Sequence, residues 1–260
     1  MADNVLQICE YGFTEMFNNA IDHSEGTQAT IRIYCTAKGI RLDIMDNGVG
    51  IFRKIQRALN LADARLALLE LGKGKFTTDP DRHSGQGIFF TSRAFDHFII
   101  LSHDLSYVHG GSEKQDWLLN EPEAGETDAS GLRMSTYIMM TIDARSKRDL
   151  KAVLDEYASA DVGDYGFTKT KVPVELARLG DENFVSRSQA KRLLARLDRF
   201  RDVILDFNKI DSIGQAFADE IFRVYRIQHP EVNILPINAN EDVMRMIFRA
   251  MRPESDVQGG

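Results

Sequence analysis

The sequence predicts an α+β protein of two units: an α/β sandwich, with a mixed sheet carrying helices on one face, and a smaller α/β unit after it. Three observations predict this. A long amphipathic stretch, Glu10 to Ser24, precedes a hairpin pattern, a second helical region and three further strand-like runs. After residue 166 strand and helix patterns alternate, the order of an α/β layer. Between the two regimes, residues 160–166 read ADVGDYG, the composition of a boundary. The expected organisation is a first domain over 1–145, a connector helix and linker over 146–166, a second domain over 167–253 and a flexible tail over 254–260.

Composition permits this without selecting it. With 260 residues, 43% of them apolar, the chain can bury one large or two ordinary cores. A net charge of −7 argues against a large basic surface for nucleic acid. Cys9 and Cys35 lack the close spacing of a metal site and suit a reduced, cytoplasmic protein. The opening MADNVLQ has no basic region or apolar run of a secretory signal, and no stretch approaches roughly 18 uninterrupted apolar residues, so no membrane span is expected.

Asp3 or Asn4 is placed to cap the first helix, which the pattern ends near His23. At helical spacing Phe13, Met16, Phe17, Ala20 and Ile21 fill one side, and Tyr11, Glu15, Asn18, Asn19 and Asp22 the other. Glu15 and Asn19, four apart, are neighbours on that polar side, at roughly 5–6 Å between Cβ atoms. A carboxylate beside an amide oxygen suits a hard cation and a water; the alternative is an ordinary surface helix. Ala29 to Cys35 alternates, Ala37-Lys38-Gly39 turns, and Ile40 to Met45 returns as a hairpin ending at Asp46. Asp46-Asn47-Gly48-Val49-Gly50 then reads either as a tight turn or as a carboxylate poised where backbone passes close to a planar ligand.

One helix is expected from Phe52 to Leu71, with Ile55, Leu59, Ala62, Leu66 and Leu69 in step. Residues 72–83 are polar and basic, a pattern suited to a lid over phosphates, with Lys73, Lys75 and Arg82 as the cations that could touch them. Leu69 and Phe76 occupy the positions where a Walker loop needs Gly and Ser or Thr, which excludes that motif. Ser84-Gly85-Gln86-Gly87 opens an apolar helix whose free amides would face an anion. Strands are expected at Phe98 to Ser102, Ser106 to His109 and Leu132 to Thr141, and a connector helix at Ser146 to Tyr157. His97, His103 and His109 recur every six residues without a metal signature. The second unit reads strand Thr168 to Leu176, helix Ser188 to Phe200, strand Asp202 to Phe207, helix Ile213 to Ile227, strand Val232 to Leu235 and helix Glu241 to Met251.

The ordered set of Glu15-x-x-x-Asn19, Asp46-x-Gly48-x-Gly50 and Gly85-x-Gly87 resembles the GHKL ATPases, the superfamily of gyrase, Hsp90, MutL, sensor histidine kinases and anti-sigma-factor kinases, over roughly the first 145 residues. The resemblance implies ATP and Mg²⁺ as ligands. By it Asp46 accepts the adenine amino hydrogen beside Gly48 and Gly50, Asn19 holds Mg²⁺, and Lys75 with Ser84, Gly85, Gln86 and Gly87 completes the nucleotide site. Glu15 would be the catalytic base, as in the hydrolytic members and serine kinases, because water and serine hydroxyls need a proton acceptor. Gly131-Leu132 stands where such proteins often carry Gly-Thr. Such proteins also carry a strand or dimerisation element before the first helix, and almost nothing precedes it here, which implies a trimmed domain or a different natural start.

The stretch VILDFNKIDSIGQAFADEIFRVY resembles the STAS-like domains of anti-sigma-factor antagonists, in which a Ser at the start of the second helix is phosphorylated. Its positional match is Ser212; alternatively Asp211 or Ser212 is only that helix's cap. The expected function is a Mg-ATP-binding ATPase or serine-kinase-like regulatory protein with a STAS-like partner-binding domain. It would meet a protein partner through that domain and would be a candidate homodimer. The alternatives are an ATP-dependent conformational or dimerisation switch with negligible turnover, and a truncated histidine kinase core.

Overall fold

The structure, a computed structural model, describes residues 2–76, 85–110, 117–119, 134–159 and 166–252. It divides into two units, Met1–Glu156 and Tyr157–Gly260.

The first unit opens with helix α1, Asp3–His23, which buries Val5, Ile8, Cys9, Gly12, Met16 and Ala20. Apart from the adjacent pair Ile8 and Cys9 these fall three or four residues apart, so one stripe faces the core. Phe13 and Phe17 pack at its margin, stacked at 5.4 Å, while Ile21, expected inside, is exposed. The buried line runs through Gly12, Met16 and Ala20 and so turns Ile21 outward. The cap is Ala2 rather than Asp3 or Asn4. Asn4 instead donates from Nδ2 to the carbonyls of Ser146 and Arg148, both at 2.8 Å.

Strands β1 (Ala29–Cys35) and β2 (Gly39–Asp46) form the expected hairpin. The single helix expected next is two, α2 (Ile51–Leu59) and α3 (Leu66–Lys73). Asn60 takes a left-handed conformation (φ 50°), which asparagine tolerates at low cost, and ends α2. Helix α4 is Gly87–Ala94, followed by β3 (His97–Ser102), β4 (Leu105–Gly110), β5 (Trp117–Leu119), β6 (Thr136–Asp143) and a short helix α5 (Leu150–Glu156). Strand β6 starts four residues later than expected, α5 starts four residues later than the expected connector and ends one residue before it, and Gly131-Leu132 lies outside the described residues.

The sheet runs β1-β2-β6-β3-β4-β5, and each described pairing is antiparallel rather than mixed. Two hairpins, β1–β2 and β3–β4, are joined by β6, which runs against both neighbours. Register sets one face: Leu42 opposes Met140, Ile44 opposes Ile138 and Asp46 opposes Thr136, while Phe98 and Ile100 of β3 oppose Met140 and Ile138. The apolar members of these pairs are buried, and α1 and α4 pack on the unit's core through Ile8, Met16 and Phe95. A Cβ on Gly12 would lie 2.3 Å from Phe95, so glycine there lets α1 close on α4.

In the second unit, β7 (Lys169–Pro173), β8 (Asp202–Asp206) and β9 (Asn233–Ile237) form a parallel sheet in that order. Val172, Val203, Leu205 and Ile234 form its buried face. Helix α6 is Arg187–Leu194, shorter than expected because Ala195 leaves the helical region and Arg196 is left-handed. Its cap is a reciprocal Ser186–Gln189 box. Helix α7 (Gln215–Asp219) continues through a π-helical stretch, Glu220–Tyr225, into α8 (Arg226–Gln228). Helix α9, Glu241–Met251, has the bounds expected. The cap of α7 is Gly214, not Asp211 or Ser212. The chain is not helical at those two residues; after them Ile213 bridges Phe184 and Gly214 N–H donates to the Phe184 carbonyl at 2.7 Å.

Candidate functional site

The polar side of α1, the end of β2 and the start of α4 meet around a cavity of about 320 Å³. Glu15, Asn19, Asp46, Gly50, Gly85 and Gly87 all line it. Gly48, Lys75 and Gln86 are not among its described lining residues, and Ser84 lies outside the described residues. The apolar wall comes from Ile51 and Ile55 of α2, Leu71 of α3, Ile88 of α4 and Ile138 of β6. A cavity of this size, apolar-walled with a few convergent polar groups, is the usual form of a small-molecule site.

At one end Asp46 is buried, and its Oδ1 accepts from the Gly48 N–H at 2.9 Å. Burial pushes its carboxyl above the ordinary carboxylate range, opposed by the Gly48 N–H and the Thr136 hydroxyl. Thr136 stands opposite it across the β2–β6 ladder and accepts from Ile51 N–H at 3.3 Å. This threonine escaped the sequence reading. Its one signal is its place at the head of an alternating strand, whose pairing partner the sequence does not name. Gly48 lies behind the cavity wall, where an added Cβ would come within 2.0 Å of the Ser24 carbonyl oxygen. That same carbonyl accepts from Val49 N–H at 2.9 Å.

Lys54, also missed, lines the cavity and ties α2 to the end of α1. Its Nζ donates to the His23 carbonyl at 2.5 Å and pairs with Glu25 at 3.1 Å. A lysine on the last carbonyls of a helix complements the negative end of its dipole.

At the other end Glu15 rests on the first residue of α4: a Cβ on Gly87 would lie 2.1 Å from Glu15 Oε2. The Tyr11 hydroxyl is held well above its usual range, by burial first and then by the Glu15 carboxylate one turn away. The first helical bond of α4 is Phe90 N–H to the Gln86 carbonyl at 3.0 Å. The amides of Gly87, Ile88 and Phe89 therefore precede the intrahelical ladder and carry the positive end of the dipole.

The residues flanking 77–84 are joined at their base, where Phe76 N–H donates to the Gly85 carbonyl at 3.1 Å. Gly85 takes a φ of 70° against the Phe76 backbone, 2.5 Å from where a Cβ would sit, a position no side chain fits. Of the basic residues in this region, Lys73 is only 1% exposed and pairs with the buried Glu70 at 2.9 Å. Lys75 is half-buried with φ 55°, and Arg82 lies outside the described residues.

His97, His103 and His109 form no metal-holding cluster, and no group of three metal-ligating side chains occurs among the described residues. No described helix is long and apolar enough to cross a membrane. Ser212 is exposed between β8 and α7, in a loop held by Asn240, whose Nδ2 donates to the carbonyls of Ile210 and Asp211 at 3.1 and 2.9 Å.

Residues 2–108 match the family described as a histidine kinase-like ATPase domain. Residues 189–244 match a STAS-like domain of unknown function (DUF4325). No curated protein matches the chain. The chain thus carries a histidine kinase-like ATPase domain followed by a STAS-like domain.

Proposed function

We propose that the first unit binds Mg-ATP in this cavity and transfers the terminal phosphoryl group to water or a serine hydroxyl, with the STAS-like unit as its regulatory or partner-binding module. One observation carries the reading: Glu15, Asn19, Asp46 and the amide end of α4 border a single cavity although they are scattered over more than seventy residues of sequence. Asp46 would accept the adenine amino hydrogen, with Thr136 and Gly48 holding the carboxylate in place. The amides of Gly87 to Phe89 would receive phosphate oxygens. Lys75 and Ser84 are retained as phosphate contacts in this reading.

The donor set suits magnesium. Asn19 offers one amide oxygen and no carboxylate cage occurs among the described residues, which fits an ion that keeps several waters and takes its remaining ligands from phosphates. When bound, the ion would neutralise charge on the transferring group. Glu15 would take the proton of the attacking hydroxyl, and its rest on Gly87 sets that carboxylate beside the phosphate-binding amides.

The test is incubation with γ-labelled ATP and magnesium, comparing the unaltered chain with Glu15→Ala and Ser212→Ala. Free phosphate lost by about 10²- to 10⁴-fold in Glu15→Ala, with nucleotide affinity retained, supports hydrolysis. Protein-bound label abolished by Ser212→Ala supports serine phosphotransfer. Nucleotide binding with neither product leaves an ATP-dependent switch, and acid-labile label on histidine overturns both the water and serine readings.

A further inference from the structure

Helix α9 carries two apolar stripes, and the second unit's core uses one of them. Val243, Ile247 and Ala250 are buried. Met244, Phe248 and Met251 form the other, spaced four and three residues apart, the interval that keeps side chains in line along a helix. Met244 is half-buried, Phe248 is 58% exposed and Met251 37% exposed. Single exposed apolar residues are ordinary; an aligned run of three with a phenylalanine at its centre marks a contact surface. Charge along the same helix is polarised. Glu241 and Asp242 open it, Arg245, Arg249 and Arg252 follow toward and just past its end, and all five are exposed. Asp242 and Arg245 pair within the helix at 2.9 Å, so Glu241 at one end and Arg249 with Arg252 at the other set the polarity.

We infer that α9 is a self-association surface whose partner is α9 of a second copy of this chain, packed antiparallel. In that arrangement the acidic first turn of each helix lies beside the basic last turn of the other, and one two-fold operation satisfies both ends. Parallel packing would set acid on acid and base on base. A uniformly charged foreign helix would gain at one end and lose at the other, and an anionic lipid surface would attract the arginines while repelling Glu241 and Asp242. Antiparallel packing also faces the two Met-Phe-Met stripes, with Phe248 near the axis. One short helix on another buries less than the roughly 800 Å² per partner of a standard interface, so the dimer is weak and concentration-dependent.

Sedimentation equilibrium of the full chain over roughly 10–500 µM reads this directly. The unaltered chain is expected to gain weight-average mass with concentration, and Phe248→Asp to raise the dissociation constant at least about tenfold. A charge swap identifies the partner. Glu241→Arg with Asp242→Arg makes a helix basic at both ends, and Arg249→Glu with Arg252→Glu makes one acidic at both ends. Each alone is expected to lose association and their equimolar mixture to regain it. Circular dichroism checks folding, and Phe248→Asp, which leaves the charged ends intact, still decides the matter if a swapped helix frays. An unaltered chain monomeric throughout, indifference to Phe248→Asp, or folded swap variants that do not rescue one another overturns the inference. Binding to anionic phospholipid vesicles without self-association also overturns it and assigns the stripe to a membrane surface.

Discussion

Gly87→Ala separates the position of Glu15 from its presence. The new Cβ would lie 2.1 Å from Glu15 Oε2 and 3.0 Å from its Cδ, so the carboxylate has to move. It is the far end of a flexible side chain, and an off-rotamer turn of about 30° costs about 0.5–1.5 kcal/mol. Alanine is favoured over glycine by about 0.8–1.0 kcal/mol in a helix interior and by less at this first helical position, so the gain offsets part of that cost. Folding stability is therefore expected to change by less than about 1 kcal/mol, a few degrees in Tm. Catalysis has no such compensation, because a base displaced by about 1 Å costs on the order of 10²-fold. Single-turnover release of labelled phosphate is expected to slow by about that factor, while calorimetry finds nucleotide affinity within about threefold of the unaltered chain. The double variant Glu15→Ala/Gly87→Ala should be no slower than Glu15→Ala, since the displaced group is already absent. Undiminished turnover in Gly87→Ala would refute the placement of the carboxylate, and a further loss in the double variant would refute the claim that Gly87 acts through it.

Asp46→Asn is expected to weaken ATP binding by about 1.5–3 kcal/mol, the value of a hydrogen bond to a charged group, measured by calorimetry at neutral pH. Because burial raises this carboxyl, its contribution to folding is fully present below its unfolded pKa and is lost as pH rises through the folded value. Asp46→Asn should therefore leave Tm at neutral pH unchanged or slightly higher, and affinity in the unaltered chain should fall on acidification sooner than for an ordinary carboxylate. Thr136→Val keeps the volume but removes the hydroxyl that lowers the Asp46 pKa and receives Ile51 N–H. It should cost about 0.5–1.5 kcal/mol in urea unfolding and move the acid-side loss of affinity to higher pH. Lys73→Met leaves the buried Glu70 without its ammonium partner and should destabilise the first unit by about 3–5 kcal/mol, with Glu70→Gln in the same chain recovering much of it. Intact stability in Lys73→Met would mean that the pair is not structural and would return Lys73 to the phosphate candidates.

What was legible in the sequence was whatever leaves a local period. The stripe of α1, the β1–β2 hairpin and the strand–helix alternation of the second unit each repeat within a few residues. Sheet order leaves no such trace: β6 lies between β2 and β3, and its partner β2 ends ninety residues before it begins. The break between α2 and α3 was hidden for a related reason. Ile55, Leu59, Leu66 and Leu69 stay in helical step across it, and Asn60 turns the chain by its backbone alone. The same division holds at the site. Glu15, Asn19, Asp46, Gly85 and Gly87 were readable because their chemistry or their lack of a side chain restricts what can stand there. Thr136 and Lys54 enter through pairing register and helix packing, and the family match over residues 2–108 stops before Thr136.

The cavity's two ends are held by one rigid element. At its C-terminal end α1 is fixed to the loop after β2, through Val49 N–H on the Ser24 carbonyl, the close approach of Gly48 and the Lys54 ammonium on the His23 carbonyl. Toward its middle it is fixed to α4, where Gly12 meets Phe95 and Glu15 meets Gly87. In the proposed function Asp46 reads the base and Glu15 serves the terminal phosphate, so the interval between these tasks is spanned by helix rather than by loop. Helices move less than loops on the timescale of ligand exchange. The distance from recognition to chemistry is then set by α1 and by its fixed contacts with the loop after β2 and with α4.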